Sequence, residues 1–364
     1  MQAIQKPLFG IYIHWPFCLS KCPYCDFYSQ TDKMVDYNML MMSYQRDILF
    51  FKSKMKTVPI VTSVFLGGGT PSLMPIDFFE ELMRFLKKEF LFAPDIEISL
   101  EANPDAIDSQ KMLLFQKNGV NRLSIGVQAL NDSDLKLLGR RHTLETALSR
   151  IKDAKSIFDN VNMDLIYARP NQSISGWEEE LNRALDLNLS HYSLYQLTIE
   201  ENTPFGRQNI CTPDEDTAVE LYLKTHEIMT QRGKPAYEIS NYADIHHQCQ
   251  HNLTYWLGGD YLGLGPASHG RIGLLATQNP RSVKQWFKEE PICEVLTDTE
   301  RKTEKIIMGL RLFDKGFPLG LLNLDGVQQA ISWGWGVCED NLFYPTINGH
   351  LLLNQLVELV APND

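Results

Sequence analysis

Positive charge is in deficit. The chain carries 34 Lys and Arg against 45 Asp and Glu, a net charge of −11. A balance of that sign argues against a sequence-independent grip on a phosphate backbone and leaves room only for a local basic patch. No run approaches the ~18 consecutive apolar residues of a membrane-spanning helix. The opening residues Met1–Pro7 contain no apolar signal region, and the expected compartment is the cytoplasm. Cysteine is scarce, seven in 364 residues and unevenly placed, which excludes a disulfide scaffold. Glycine (23) and proline (18) show no period, so a collagen-like or low-complexity chain is excluded too. Apolar side chains are plentiful, 44% of the whole against 22% charged, enough to form a core and to exclude wholesale disorder.

Strand-like apolar runs recur at Phe9–Ile13, Val61–Leu66, Ile96–Leu100, Arg122–Val127, Val161–Ile166 and His191–Leu197. Helix-like stretches lie between them. In Ile76–Phe90 the 3.6-residue pattern gathers Phe78, Phe79, Leu82, Met83, Phe85 and Leu86 on one broad face. Ile107–Asn118, Leu144–Phe158, Trp177–Leu187 and Asp214–Gln231 continue the alternation. Strand and helix alternating at about 30-residue spacing mean parallel βαβ units. Six units rather than eight predict a partial (β/α)6 barrel within an α/β chain. Residues 1–235 are the expected barrel core. Residues 236–296 are an extension, polar over Pro235–Asp260 and glycine-rich over Tyr261–Gly270. Residues 297–364 read as a small winged-helix-like α+β domain, with a helix at Glu300–Phe313. A hairpin is expected there, turning at Asn348-Gly349 between Leu342–Ile347 and His350–Leu353.

Cys18, Cys22 and Cys25 form a Cys-x3-Cys-x2-Cys cluster just after the first strand. Parallel barrels carry their chemistry on loops at the C-terminal ends of strands, so a site belongs here. Three thiolates can hold three irons of a [4Fe–4S] cube and leave the fourth iron open. Soft thiolates suit zinc as well, but a structural zinc site takes four ligands, usually as two separated pairs. Here no fourth Cys or His is nearby: Asp26 and Phe27 follow, and His14 lies behind the triplet. After the second strand comes Gly67-Gly68-Gly69-Thr70-Pro71, glycines that let backbone groups approach a ligand closely. Glu101, Gln128, Asp164 and Gln196 stand at the ends of the next four strands. One such residue is an ordinary cap; four in succession line one mouth.

The stretch Ile11–Phe27, reading Ile-Tyr-Ile-His-Trp-Pro-Phe-Cys-Leu-Ser-Lys-Cys-Pro-Tyr-Cys-Asp-Phe, resembles the radical S-adenosylmethionine (SAM) superfamily. More closely it resembles the branch that holds oxygen-independent coproporphyrinogen III dehydrogenase and the HemW family of heme chaperones. The resemblance covers almost the whole chain. It implies a cluster whose open iron is chelated by the amino and carboxylate groups of SAM, and an electron donor that drives SAM cleavage. It places Gly68, Gly69 and Thr70 against the methionine moiety, and Tyr12, Tyr24, Glu101, Gln128, Arg140 and Asp164 around SAM. Arg141 is adjacent to Arg140, and an exposed salt bridge is the ordinary fate of such a pair. The sequence departs from the family at Tyr167-Ala168-Arg169-Pro170-Asn171-Gln172, where Tyr-Gly-Leu-Pro-x-Gln is usual. Losing that glycine narrows the turn's backbone options.

Residues 249–256 read Cys-Gln-His-Asn-Leu-Thr-Tyr-Trp. His is a common axial ligand of heme, and Tyr and Trp offer flat surface for a macrocycle. A lone His is usually just hydrogen-bonded, but His-Asn-x-x-Tyr-Trp matches the HemW pattern and makes His251 the candidate heme contact. Cys249, His246, His247 and His269 are nearby alternatives. Two functions follow from the resemblance. One is a chaperone that binds heme and passes it to an acceptor protein. The other is the dehydrogenase, which decarboxylates two propionates of coproporphyrinogen III. The dehydrogenase carries a further Cys two residues after its third cluster Cys, where this chain has Phe27, and a long arm before the first strand, where only eight residues precede Phe9. Both features favour the chaperone. A zinc-stabilised binding module remains if the triplet holds no iron.

Overall fold

The computed structural model describes residues 8–31 and 34–362; the expectation for Met1–Pro7 lies outside the described residues. Six parallel strands carry the first two-thirds of the chain: β1 (Phe9–Trp15), β2 (Ile60–Gly68), β3 (Leu91–Ala102), β4 (Arg122–Gln128), β5 (Asn160–Tyr167) and β6 (His191–Gln196). The intervening helices are α1 (Tyr37–Lys54), α2 (Ile76–Glu89), α3 (Ser109–Lys117), α4 (Asp132–Leu137), α5 (Leu144–Ile157) and α6 (Ile174–Leu185). The short α7 (Pro204–Arg207) and long α8 (Glu215–Gln231) follow β6. Helix α2 buries Phe78, Phe79, Leu82, Met83 and Leu86, the stripe that its sequence pattern required. Helix α1 has no such stripe: Met42 and Leu49 point outward while Leu40, Ile48 and Phe51 are buried, so periodicity alone did not expose it. Asp36 starts it, its carboxylate accepting from the Met39 N–H at 3.0 Å.

The sheet does not stop at six strands. Beyond residue 235 come β7 (Asn241–Ala243), α9 (Gln250–Trp256), β8 (Asp260–Leu264), β9 (His269–Ile272), β10 (Leu275–Gln278), α10 (Val283–Trp286) and β11 (Ile292–Val295). Among the described residues one sheet runs in the order β11-β10-β9-β8-β1-β2-β3-β4-β5-β6-β7. Strand β8 is parallel to β1, with Ile11 opposite Leu262. The start of the glycine-rich stretch is therefore part of a seventh parallel strand, and its end enters β9, which runs antiparallel to β8. Gly263 is needed there because a Cβ would strike the backbone of His269. The fold is α/β, a curved irregular sheet flanked by helices in the manner of a partial barrel.

The C-terminal part, α11 (Asp298–Gly309), β12 (Phe317–Pro318), α12 (Leu324–Ser332), β13 (Gly336–Glu339), β14 (Leu342–Pro345), α13 (Ile347–Leu351) and α14 (Leu353–Val360), packs its own small core around Ile306, Leu310, Phe343 and Leu356. Its hairpin is not where Asn348-Gly349 placed it. The turn is Asp340-Asn341, with φ of 50° and 62°, the pair of left-handed residues that a tight hairpin turn demands. Asn348 and Gly349 lie inside α13, whose N-cap Thr346 accepts from the Gly349 N–H at 3.2 Å. The cap and the contact of Gly349 with the Trp335 carbonyl outweigh the local turn preference.

Candidate functional site

Side chains alternate along a strand, so Arg122, Ser124, Gly126 and Gln128 of β4 all face the same way, as do Asn162, Asp164 and Ile166 of β5. They face inward. Barrel interiors are usually filled with branched apolar side chains. This one is lined by polar groups and encloses a cavity of about 690 Å³, within the range of small-molecule and cofactor sites. Cys18, Cys22, Cys25, Tyr12, Tyr24, Gly68, Gly69, Thr70, Glu101, Gln128, Arg140, Asp164 and His251 all line it, as does Gln196. These candidate contacts thus border one space, and of the alternatives to His251 only Cys249 joins them.

The cysteine loop leaves β1 and is tied at its base by Cys18 N–H to Gln30 O at 3.0 Å and Gln30 N–H to Pro16 O at 2.8 Å. The three thiols are free and half-buried. Among the described residues no group of three or more His, Cys, Asp or Glu converges as ligands of a metal ion. The loop is instead held by a relay that closes on itself. Thr70 Oγ1 donates to Cys18 Sγ at 3.4 Å and accepts from Asn103 Nδ2 at 3.1 Å. Asn103 Oδ1 accepts from Arg140 Nη2 at 2.6 Å, and Arg140 Nη1 reaches Cys22 Sγ at 3.5 Å. Asn103 had no role assigned from sequence; only its place two residues beyond Glu101, on the same face, hinted at one. Arg140 also bonds Gly126 O at 2.8 Å, while Arg141 points out to Asp105 at 3.4 Å. The two adjacent arginines are thus sorted, one into the cavity and one to the surface.

The glycine run is a cradle. Gly68 has φ +105°, and a Cβ on it would lie 2.6 Å from His14 Nδ1. A Cβ on Gly69 would lie 2.7 Å from Phe17 O. These two positions admit no side chain, which leaves backbone facing the cysteine loop. Glu101 sits beside them, its carboxyl pushed up to about 8 by burial first and by Asp164 second. Asp164 is also raised, by burial, although Asn162 and Ser124 donate to it at 2.6 and 3.2 Å. Burial raises the Tyr12 hydroxyl as well. Gln128 adopts φ 74° where the β4–β5 register slips, a strained backbone that turns its amide into the cavity. Ala168 takes φ 56°, a left-handed conformation, in the position where the family's glycine is usual. Arg169 is buried and pairs with Glu180 and with Asp134, the latter at 2.8 Å.

His251 lies at the other end. Helix α9 packs across the starts of β1 and β2, and its N-terminus is capped by Glu97, which accepts from Gln250 N–H at 3.1 Å and His251 N–H at 3.2 Å. The His251 ring meets Ser63 Oγ at 2.9 Å and Tyr255 OH at 2.7 Å, so both ring nitrogens have partners. Burial lowers its pKa to about 3, which keeps the ring neutral. Cys249 also lines the cavity, its thiol pushed up to about 12 by burial. His246 and His269 are exposed and do not border the cavity. Arg311 lies over the Trp256 ring of α9, its guanidinium 4.6 Å from the ring centre.

A family profile, the Radical SAM superfamily, matches residues 12–184. The heme chaperone HemW of Haemophilus influenzae is 39% identical over 98% of this chain and 98% of its own length. The HemW of Escherichia coli is 33% identical over 98% and 99%. A solved structure of Escherichia coli coproporphyrinogen III oxidase, described as a radical SAM enzyme, superposes with a TM-score of 0.82 at 21% identity, covering 97% of this chain and 90% of that one. No described helix is long and apolar enough to cross a membrane. The three free thiols on a strand-end loop and the glycine cradle beside them agree with the match along its length, and the chain belongs to the radical SAM superfamily and, within it, to the HemW family.

Proposed function

We propose that this chain is a heme chaperone: it binds heme and delivers it to an acceptor protein. The observation that carries this reading is near-full-length similarity to the heme chaperones HemW of Escherichia coli and Haemophilus influenzae, together with a cavity large enough for a cofactor. Cys18, Cys22 and Cys25 would hold a [4Fe–4S] cluster, and the donor set fits. All three ligands are soft thiols, and Thr70 and Arg140 point donors at two of them. Such donors spread the charge that thiolates bring to a buried site. SAM would lie above them, its methionine end on Gly68, Gly69 and Thr70. Tyr12, Tyr24, Glu101, Gln128, Arg140 and Asp164 would surround the rest. When bound, cluster and SAM supply one-electron chemistry fed by an external electron donor. The chain's own residues shape the pocket, and Glu101 and Asp164 offer acid groups to a cationic ligand.

The cavity wall at Tyr12, Tyr255 and Phe65 supplies aromatic surface for a macrocycle. His251 is the proposed heme contact, and ligation of iron would require its ring to give up Tyr255 or Ser63. Phe27, 65% exposed at the mouth, stands where the dehydrogenase has its further Cys, which weighs against coproporphyrinogen III decarboxylation. Segments 1–235, 236–296 and 297–364 are taken as barrel core, His251-bearing extension and C-terminal domain. Free thiols in one loop suit a reducing compartment, the cytoplasm. The test is twofold. Heme titrated into the anaerobically reconstituted protein should saturate near one per chain. The same protein with SAM, reductant and coproporphyrinogen III should yield no accumulating protoporphyrinogen; product over many turnovers would replace the chaperone by the dehydrogenase.

A further inference from the structure

The polar groups deep in the barrel, away from the cysteine loop, are nearly all spent on one another. His191 meets Asn162 Oδ1 at 2.7 Å with one ring nitrogen and Tyr237 OH at 2.9 Å with the other. Ser193 donates within 3.2 Å of Asn162 Oδ1 and at 2.7 Å to Asn241 Oδ1. Glu97 is committed to the start of α9 and accepts from Cys249 Sγ at 3.4 Å. Arg122 is the exception. It is 2% exposed and borders the cavity, yet among the described residues its guanidinium has one hydrogen bond, Nη1 to Asn160 Oδ1 at 2.9 Å. Its Nε is buried without a partner. A guanidinium carries five N–H donors, and leaving donors unpaired in a closed site is costly. Glu97 and Asp164 act on it through space, but neither lies within ion-pair distance.

We propose that Arg122 is the receptor for a carboxylate arm of the ligand that fills the cavity. The assignment rests on the heme reading above, in which that arm is a propionate of the porphyrin. The chemistry of the place selects a carboxylate. A planar guanidinium with free donors matches a planar carboxylate two bonds at a time. A phosphate, with more negative charge, would face a single cation flanked by the acids Glu97 and Asp164. The carboxylate of SAM is not the occupant, since its proposed place is beside Gly68–Thr70 at the mouth. Arg122 opens β4 and Gln128 closes it, so at ~3.3 Å per residue the two ends of that wall lie about 20 Å apart. A ligand anchored at Arg122 therefore has its charged arm at the closed end, the end at which His251 also borders the cavity.

The test compares hemin with hemin dimethyl ester, whose propionates are blocked, by absorbance titration of the full-length reconstituted chain. Wild type should prefer the free acid by about tenfold to a hundredfold, the equivalent of one or two charge-assisted hydrogen bonds. Arg122→Gln should lose that preference by weakening the free acid alone, leaving the ester's affinity within about twofold on the same scale. Arg122→Lys, which keeps the charge but not the fork, should retain part of it, and it decides the matter if Arg122→Gln fails to fold by circular dichroism. Equal binding of both porphyrins by wild type, or a preference that survives undiminished in the folded variants, overturns this assignment and leaves the heme reading standing. If wild type binds neither porphyrin, the heme reading falls and this one with it.

Discussion

Asn103→Ala should loosen the cysteine loop while leaving the barrel intact. Asn103 is the middle of the relay from Cys18 through Thr70 and Arg140 to Cys22, accepting from Arg140 at 2.6 Å and donating to Thr70 at 3.1 Å. A charge-assisted bond contributes ~1.5–3 kcal/mol net and a neutral one ~0.5–1.5 kcal/mol. Asn103 is only half-buried, so water replaces part of both, and a loss of ~1–2 kcal/mol is the reasonable sum. Most of that loss falls on the loop, because the residues concerned lie outside the apolar core. The loop's hold on a reconstituted cluster should weaken by about 5–30-fold, at ~1.4 kcal/mol per factor of ten. The assay is anaerobic reconstitution followed by the rate of iron transfer to a chelator, with the denaturant midpoint recorded alongside. Thr70→Val should act in the same direction, and the double variant should cost less than the two separately, since they share one relay. Iron loss from Asn103→Ala within twofold of wild type, or a full-sized additive effect in the double variant, would show that the relay does not hold the loop.

Three further outcomes follow from the geometry. Replacing Cys18, Cys22 and Cys25 together by Ala should abolish iron and sulfide binding and leave the thermal midpoint of the unreconstituted chain nearly unchanged, because none of the three belongs to the apolar core; full cluster content in that variant refutes the assignment. Glu101 sets a pH dependence: its folded pKa of about 8 lies above the ordinary 4.5, so between those values the native state holds a proton that the unfolded chain releases. Stability from this group is therefore present below pH 4.5 and lost as pH rises towards 8, and the difference between wild type and Glu101→Gln in denaturant midpoint should change across pH 5–8; a constant difference refutes it. Ser63→Ala removes a buried partner of the His251 ring at 2.9 Å and should cost ~1–3 kcal/mol of stability, read by denaturant unfolding.

Much of this protein is legible from residue order because the signals are local. The six strands and the amphipathic helix at Ile76 follow from apolar periodicity, since one buried face per element suffices to specify them. The cysteine triplet and the glycine run announce themselves because their chemistry requires close spacing along the chain. Strand-end polar residues could be placed at one mouth once the strands were known to be parallel. What tertiary structure decided are the relations between distant segments. Nothing local made Asp260–Leu264 a seventh parallel strand; pairing with β1, some 250 residues earlier, did so. Asn348-Gly349 is a strong turn pair, and a helix cap and a close contact with Trp335 overruled it. Arg140 and Arg141 are adjacent and chemically identical, and the course of the loop between α4 and α5 sends one to Cys22 and the other to Asp105. His251 reads as a ligand in the sequence, whereas folding brings Ser63 and Tyr255 to its two nitrogens and sets it at the closed end of the barrel. The orphaned donors of Arg122 belong to this second kind: a residue becomes unpaired only when every neighbour that folding brings to it has already found another partner.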